Sequence, residues 1–105
     1  MTTEEGLDRL AALGEVTSRP LFGGHGLYWR ETIFGILFEG RLYFKVDEQS
    51  KPDFVSRGMG PLRPNERQTL KSYYKVPPEV LAEPEALLSW AGEAIRAAQS
   101  SPSPG

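Results

Sequence analysis

The spacing of hydrophobic residues along this chain changes from a helical period to a strand period and back again. Near the N-terminus the apolar positions recur at helical spacing, at Leu7, Leu10, Ala11 and Leu13. Thr2 or Thr3 can cap the first turn of such a helix, and Gly14 is suited to end it. The pattern therefore predicts an N-terminal helix.

The middle of the chain is rich in aromatic and β-branched residues. The runs "GLYWR", "IFGILFE" and "RLYFKV" are separated by short turn segments, which predicts an antiparallel meander with the apolar "IFGILFE" as a central strand. Pro20 in the preceding run "VTSRPLF" favours a sheet edge or a strand end, because proline cannot donate to a ladder. In "RLYFKV" the apolar residues Leu42, Phe44 and Val46 alternate with Arg41, Tyr43 and Lys45. We expect the first three to be buried and the last three to face solvent.

The second half of the chain returns to a helical pattern at its end. "SKPDFVSRG" predicts a short helix anchored by Phe54 and Val55, and "MGPLRPNERQT" a strand fragment followed by an exposed loop. "LKSYYKV" predicts another strand, and the sequence after Pro77 predicts a short helical turn and then a long helix starting near Pro84. One domain over residues 1–99 is expected, followed by a disordered tail over residues 100–105 that has no apolar side chain.

Composition narrows the classes of protein and of site. The 105 residues carry 12 Lys and Arg against 14 Asp and Glu, and the net charge of −2 weighs against a dedicated nucleic-acid binder. With no cysteine the chain has no disulfide and no thiolate nucleophile or ligand. The N-terminus lacks the features of a signal peptide, and no apolar run has the length of a membrane span. We expect a cytoplasmic protein without membrane contact.

The run "FGGHG" raises the question of whether glycines bind a phosphate or a histidine does proton chemistry. A phosphate loop joins a strand to a helix, whereas here a strand follows, and neither known glycine fingerprint is present. We interpret Gly23, Gly24 and Gly26 as structural turn residues, with Gly24 at a positive φ. His25 lacks sequence partners for catalysis or metal binding, which favours a surface or loop histidine.

A second candidate region runs from Arg63 to Lys75. Its aromatic and cationic side chains could stack on bases and contact phosphates, but neighbouring tyrosines on a strand point to opposite faces, so one of them is expected in the core. The candidate interaction surface combines the cations and tyrosines of this region with two residues from the glycine-rich region. Its members are Arg19, His25, Arg63, Arg67, Lys71, Tyr73, Tyr74 and Lys75.

Four runs in order resemble the N-terminal domain of the TfoX/Sxy family, bacterial regulators associated with natural competence: "SRPLFGGHGLYW", "GRLYFKVDE", "PDFVSRGMGPL" and "SYYKVPPEVLAEPEALLSWAGEAIRAA". The resemblance covers the chain except its tail. It implies an α+β, two-layer sandwich whose antiparallel sheet packs against N- and C-terminal helices, similar in outline to type III secretion chaperones. It implies no enzyme, no cofactor and no catalytic residues. Leu21 and His25 stand where family members commonly carry a methionine and an aromatic residue.

These observations lead to one principal functional hypothesis and one alternative. The first is a small non-enzymatic regulatory or protein-interaction module related to the competence and transcription regulators, with a protein partner of unknown identity. The alternative is weak, direct nucleic-acid binding through Arg63 to Lys75. We expect no metal and no cofactor, and the sequence leaves open whether the protein is a monomer or a homodimer.

Overall fold

The structure is a computed structural model that describes residues 1–21 and 23–100. The elements in chain order are α1 (Thr3–Arg9), a 3₁₀ turn (Ala11–Leu13), β1 (Val16–Leu21), β2 (Gly24–Trp29), β3 (Thr32–Phe38), β4 (Arg41–Lys45), α2 (Lys51–Val55), β5 (Pro61–Asn65), β6 (Gln68–Lys75), α3 (Pro78–Leu81) and α4 (Pro84–Ser100). No helix in these residues has the length and hydropathy to cross a membrane. Ser100 ends α4, and the rest of the predicted tail lies outside the described residues.

The strands form one antiparallel sheet in the order β1-β2-β3-β4-β6-β5. The first four strands are the predicted meander, with β1 at an edge and β3 inside the sheet. After β4 the chain passes through α2 to the far edge, forms β5, and returns beside β4 as β6. Within the sheet, proline occurs only in the two edge strands, as Pro20 in β1 and as Pro61 and Pro64 in β5.

All four helices pack on one face of this sheet, which confirms the predicted α+β class. The larger core joins helix residues to one face of the strands, and its most buried large side chains include Phe34, Phe44, Leu10, Leu27 and Leu87. Helix α4 lies across β3 and β4, while α1 lies near β1 and α2 near β6. We call the side of the sheet away from the helices the open face.

A β-bulge in β3 gives the helix face two consecutive residues. Leu27 pairs with Gly35 but Tyr28 pairs with Ile33, so Phe34 is an extra residue in the ladder. Phe34 is fully buried in the larger core, and a Cβ added at Gly35 would lie 3.3 Å from the Phe44 ring. Glycine at this position therefore leaves room for both phenylalanine rings beneath α4.

The helix ends follow the sequence signals closely. Thr2 caps α1 through a capping box, in which its hydroxyl accepts from the Glu5 N–H and the Glu5 carboxylate accepts from the Thr2 N–H. Gly14 (φ 74°) follows the 3₁₀ turn, and Gly58 (φ 79°) follows α2, both in the left-handed region that glycine favours. The long C-terminal helix begins at Pro84, as predicted.

Two expectations about solvent exposure and one about secondary structure were wrong. Tyr43 is only 8% exposed, because the open face carries an apolar cluster of its own. Val55 is 53% exposed, so Phe54 alone anchors the short helix α2. The predicted loop after Pro61 is exposed over residues 65–69, as expected, but it is a tight hairpin in which Asn65 pairs with Gln68 and β6 begins at that residue.

Asp47 ties the loop before α2 to the C-terminal helix. Its Oδ1 accepts from the N–H groups of Gln49 (3.1 Å) and Ser50 (2.9 Å), and the Arg96 guanidinium donates to both carboxylate oxygens, at 2.9 and 3.3 Å. The bidentate contact with Arg96, helped by the Ser50 hydrogen bonds, holds the pKa of Asp47 well below its usual range. Residues 49 positions apart in the chain are thus held together by one carboxylate.

The glycines of "FGGHG" have three different roles. Gly23 has φ 84°, which makes it the turn residue between β1 and β2. Gly24 does not have the positive φ that we expected; it lies in β2, where an added Cβ would collide with the Leu37 carbonyl oxygen and lie 3.2 Å from Phe38 Cα. The constraint at Gly24 is therefore close backbone approach, and Gly26 makes room for an aromatic ring described below.

We expect Gly24→Val to destabilise the fold more than His25→Ala. The valine side chain must displace the β3 backbone, and overpacking of this kind costs roughly 1–3 kcal/mol or more, whereas the histidine loses a single hydrogen bond of about 1 kcal/mol. Urea unfolding of the two variants, with Thr3→Ala as the control for the histidine contact, measures the difference. Equal and small losses for all three would show that the β2 backbone can move away without cost.

Asp47→Asn is expected to lower the thermal midpoint at pH 7 by about 5 °C. Because the folded pKa of Asp47 lies below its unfolded value of about 3.9, the charged carboxylate stabilises the fold above that pH and progressively less as the pH falls. The gap between the wild-type and variant midpoints should therefore close below about pH 4. Glu48→Gln, at an exposed neighbour, should change little at any pH. A gap that stays constant through acid would contradict a role for the charge.

Candidate interaction face

The strand register identifies the side chains on the open face. Tyr43 of β4 pairs with Ile36 of β3 and with Lys75 of β6, and Lys45 pairs with Tyr73. Because side chains alternate along a strand, Arg19 and Tyr28 on the β1–β2 hairpin lie on this same face. The face thus combines tyrosines with cations across five strands.

The centre of the open face is an apolar cluster built only from strand residues. Ile36, Tyr43, Leu62 and Tyr73 are at most 9% exposed, and four partly buried residues surround them: Leu21, Ile33, Phe38 and Leu70. No helix residue belongs to this cluster. The cluster is therefore buried by side chains of neighbouring strands on the same face.

Gly26 explains how Tyr28 lies on this face. A Cβ added at Gly26 would be 3.2 Å from Tyr28 Cε1 and 3.0 Å from Ile33 Cδ1, so the tyrosine ring folds back over the bare glycine. Arg19 is the cross-strand partner of Gly26, and its guanidinium carbon lies 4.5 Å from the centre of the Tyr28 ring. The sequence "GHGLY" thus places an arginine on a tyrosine ring above the sheet.

A second cation lies on a tyrosine on the other side of the face. The Lys45 ammonium is 5.3 Å from the centre of the Tyr73 ring. Burial, together with the nearby Tyr28, raises the pKa of Tyr73 to about 12.

Charge is segregated between the sheet and the helices. None of the 14 carboxylate side chains of the chain lies within a strand, whereas six of the 12 Lys and Arg residues do: Arg19, Arg41, Lys45, Arg63, Lys71 and Lys75. The helices hold seven carboxylates, namely Glu4, Glu5, Asp8, Asp53, Glu79, Glu85 and Glu93, against Arg9, Lys51 and Arg96. The net charge of −2 therefore conceals a cationic sheet and an acidic helical layer.

The strand cations differ in their pairing. Arg19 and Arg41 each lie 3.8 Å from a carboxylate in a neighbouring turn, Glu31 and Glu39, and all four side chains are more than half exposed. Such exposed ion pairs contribute little to the stability of the fold. Over residues 1–21 and 23–100, Lys45 and Lys75 have no carboxylate oxygen within 4.0 Å. These cations therefore remain available to an external anion.

The predicted interaction surface is divided into three places by the fold. Arg19, Tyr73 and Lys75 lie on the open face. Arg63, Arg67 and Lys71 are exposed on the β5–β6 hairpin, where Arg63 donates to the Glu66 carbonyl oxygen and the Arg67 N–H to Asn65 Oδ1. The remaining two, His25 and Tyr74, lie on the helix face.

The two helix-face residues have structural partners. His25 lies on strand β2 rather than in a loop, is half-buried, and has its Nδ1 3.0 Å from Thr3 Oγ1 in the first turn of α1. Tyr74 packs edge-on against Phe54 of α2, with the Lys51 ammonium 5.7 Å from its ring centre. The expectation that the two adjacent tyrosines separate onto opposite faces is confirmed.

Sequence reasoning missed Tyr28 and Lys45 as members of this face. The signal was present, since both follow from the alternation of apolar and polar residues in "GLYWR" and "RLYFK". A comparison of charges would also have helped, because the predicted strands contain several cations and one carboxylate, Glu39 at the end of "IFGILFE". The cross-strand stacking of Arg19 on Tyr28 depends on register and is not visible in the sequence.

A cleft of about 310 Å³ lies between α2 and α4, on the side of the sheet that the helices cover. Its aromatic wall is Trp90, half-buried and edge-on to Phe54 with ring centres 4.8 Å apart, and the Arg57 guanidinium lies 5.0 Å from the Trp90 ring. Asp53 and Glu93 also line the cleft. Cationic and anionic groups are mixed there, so the cleft does not favour a ligand of one charge.

The sequence of this domain matches the model of a known protein family. The family model of the TfoX N-terminal domain matches residues 8–98, which is most of the chain. No curated protein matches this sequence significantly. The matched segment runs from α1 into α4 and includes every strand of the sheet.

Tyr73 should ionise late. Its pKa of about 12 requires a late phase in the near-ultraviolet phenolate absorbance of the folded protein. Because the folded pKa lies above the unfolded value of about 10, the fold loses stability as the pH rises from 10 to 12. Tyr73→Phe should abolish the late phase. A folded-protein titration without a phase near pH 12 would contradict the burial of Tyr73.

Proposed function

Since the chain belongs to the TfoX N-terminal domain family, we propose that it is a non-enzymatic regulatory domain that acts in the cytoplasm by binding another protein through its open face. The resemblance to competence regulators supports a role in regulation. The proposal assigns binding, and not chemistry, to the side chains on the open face.

The observation that carries this proposal is the apolar cluster on a face that no helix covers. Ile36 and Tyr43 are buried there by strand neighbours alone, and half-buried apolar residues surround them. Protein interfaces combine an apolar centre, enriched in tyrosine and arginine, with a polar rim. The open face has this composition, with Tyr28 and Arg19 beside the cluster and lysines around it.

A second candidate function is nucleic-acid binding, and the cationic sheet is the observation that favours it. Five of the six strand cations lie on β6, β5 and β4: Lys71, Lys75, Arg63, Arg41 and Lys45. Phosphate contacts by such residues give affinity that falls steeply with salt. The protein partner is preferred because Tyr73 is buried and Tyr74 faces the helices, which leaves neither ring on the surface for bases.

The absence of cysteine allows the open face to be blocked at one chosen position. Thr17 is exposed and is the cross-strand partner of Tyr28, so Thr17→Cys carrying a bulky maleimide covers the open face. Gly92→Cys is the matched control, because this exposed position on α4 has no atom within 4 Å of an added Cβ. Tagged wild-type and labelled proteins are used to capture partners from an extract of the source cells, with and without nuclease.

We expect a protein to be captured by the wild type and by the Gly92 conjugate, but not by the Thr17 conjugate, with no effect of nuclease. Loss of capture after nuclease would replace the protein partner with nucleic acid. Equal capture by both conjugates would show that the open face is not the contact surface. Thermal midpoints of both conjugates confirm that each remains folded.

A further inference from the structure

We propose that the open face recognises an acidic segment of its partner, a stretch rich in Asp and Glu that lies across the strands. This inference rests on the proposed function and adds the chemistry of the bound segment. It is drawn from the arrangement of cations on the sheet, from the aromatic rings beneath them, and from the acidic helical layer behind.

The cations of the open face extend from one side of the sheet to the other, with a gap at β2 and β3, which carry none. Arg19 on β1, Arg41 and Lys45 on β4, and Lys75 on β6 share the open face by register. Strands are about 4.8 Å apart, so the path from β1 to β6 covers on the order of 20 Å, which an extended segment of about six residues spans. No carboxylate lies on any strand beneath such a segment. The carboxylates of Glu31 and Glu39, which approach Arg19 and Arg41 from the turns, form only exposed pairs at 3.8 Å.

Two of these cations are held in place before any partner binds. Arg19 stacks on Tyr28 and Lys45 lies over Tyr73, at 4.5 and 5.3 Å from the ring centres. A stacked guanidinium keeps its N–H groups at its edge, where they can donate in pairs to a carboxylate. Because the side chains are already ordered, a partner loses less conformational entropy on binding them.

The same stacking argues against bases as the natural occupant. Stacking of a nucleobase needs an open aromatic face. Tyr43 and Tyr73 are only 8% and 9% exposed, and the rings of Tyr28 and Tyr73 already have a cation over them. Carboxylates need only the donor groups that project from this face. An acidic peptide thus fits the available chemistry better than a single strand of nucleic acid.

The helical layer restricts such a partner to one side of the molecule. Seven carboxylates on the helices repel an acidic segment, and at physiological salt this repulsion acts over about 8 Å. The cationic sheet attracts the same segment, which favours approach to the open face and raises the association rate. The charge distribution selects both the partner and its side of approach.

The test uses two lysines in the same local arrangement on opposite faces. Lys45 lies over Tyr73 on the open face, and Lys51 lies over Tyr74 on the helix face. A fluorescent dodecapeptide of alternating Glu and Gly is titrated by anisotropy against Arg19→Gln with Lys45→Gln, and against the control Arg9→Gln with Lys51→Gln, which removes the same charge. A peptide with Gln in place of Glu and a single-stranded DNA dodecamer complete the set, at two salt concentrations.

We expect the Glu peptide to bind the wild type and the control pair, and the open-face pair to bind it roughly tenfold more weakly, a loss equivalent to about 1.4 kcal/mol. Binding should weaken at the higher salt, and the Gln peptide should not bind. Equal binding of the two peptides, or equal loss in both variant pairs, would overturn the acidic-segment proposal. Tighter, face-dependent binding of the DNA would assign the cations to phosphates instead.

The outcome is separable from that of the proposed function. If the Thr17 conjugate loses the partner while the variant with Arg19→Gln and Lys45→Gln retains it, the open face is the contact surface but the recognition of an acidic segment is wrong. Should the Glu peptide bind while the Thr17 conjugate still captures its partner, the cations bind carboxylates but the partner contacts another surface. Sedimentation of the free domain at low salt tests whether the acidic ligand is a second copy of this chain. Self-association there would indicate that the acidic helices of one copy bind the open face of another.

Discussion

A six-stranded sheet has two faces, and the helices found in residues 1–21 and 23–100 all cover the same one. The long helix α4 and the three short helices all pack on the same side, where Phe34, Phe44 and Leu27 are completely buried. The other side must bury Ile36 and Tyr43 by other means. A glycine beneath a tyrosine ring and long cationic side chains over aromatic rings both serve this constraint.

The distribution of charge is connected with the same constraint. A carboxylate over the open-face cluster would be partly desolvated without a partner, which is costly. Lys and Arg instead cover apolar surface with their methylene stems and keep the charged group in water. The cationic sheet therefore contributes to folding as well as to recognition. The acidic residues are left to the helix ends and turns, where Glu5 caps α1 and Asp47 holds Arg96.

The elements that depend on local signals were predictable from the sequence. The Thr2 cap, the turn glycines at 14 and 58, and the helix start at Pro84 each follow from one residue type at one position. The edge location of β1 followed from Pro20. The family was also identifiable, because its motifs extend along most of the chain.

What could not be predicted depends on contacts between distant segments. The burial of Tyr43 requires Leu62 and Tyr73, which lie about 20 to 30 residues further along the chain. The β-bulge at Phe34 changes which residues of β3 face the helices, and the adjacent Gly35 is a sequence signal for it that does not fix its position. For the interaction face, the separation of Tyr73 from Tyr74 was predictable from alternation, whereas the stacking of Arg19 on Tyr28 needed the register of β1 on β2.

The prolines at both edges of the sheet limit how copies of this protein can aggregate. An exposed edge strand offers a regular row of donors and acceptors, and fibrils grow when one chain pairs with the next along such a row. Pro20 interrupts the row on β1, and Pro61 with Pro64 interrupts it on β5. The molecule can therefore leave a large sheet face open for binding while its edges remain poor templates for cross-β growth.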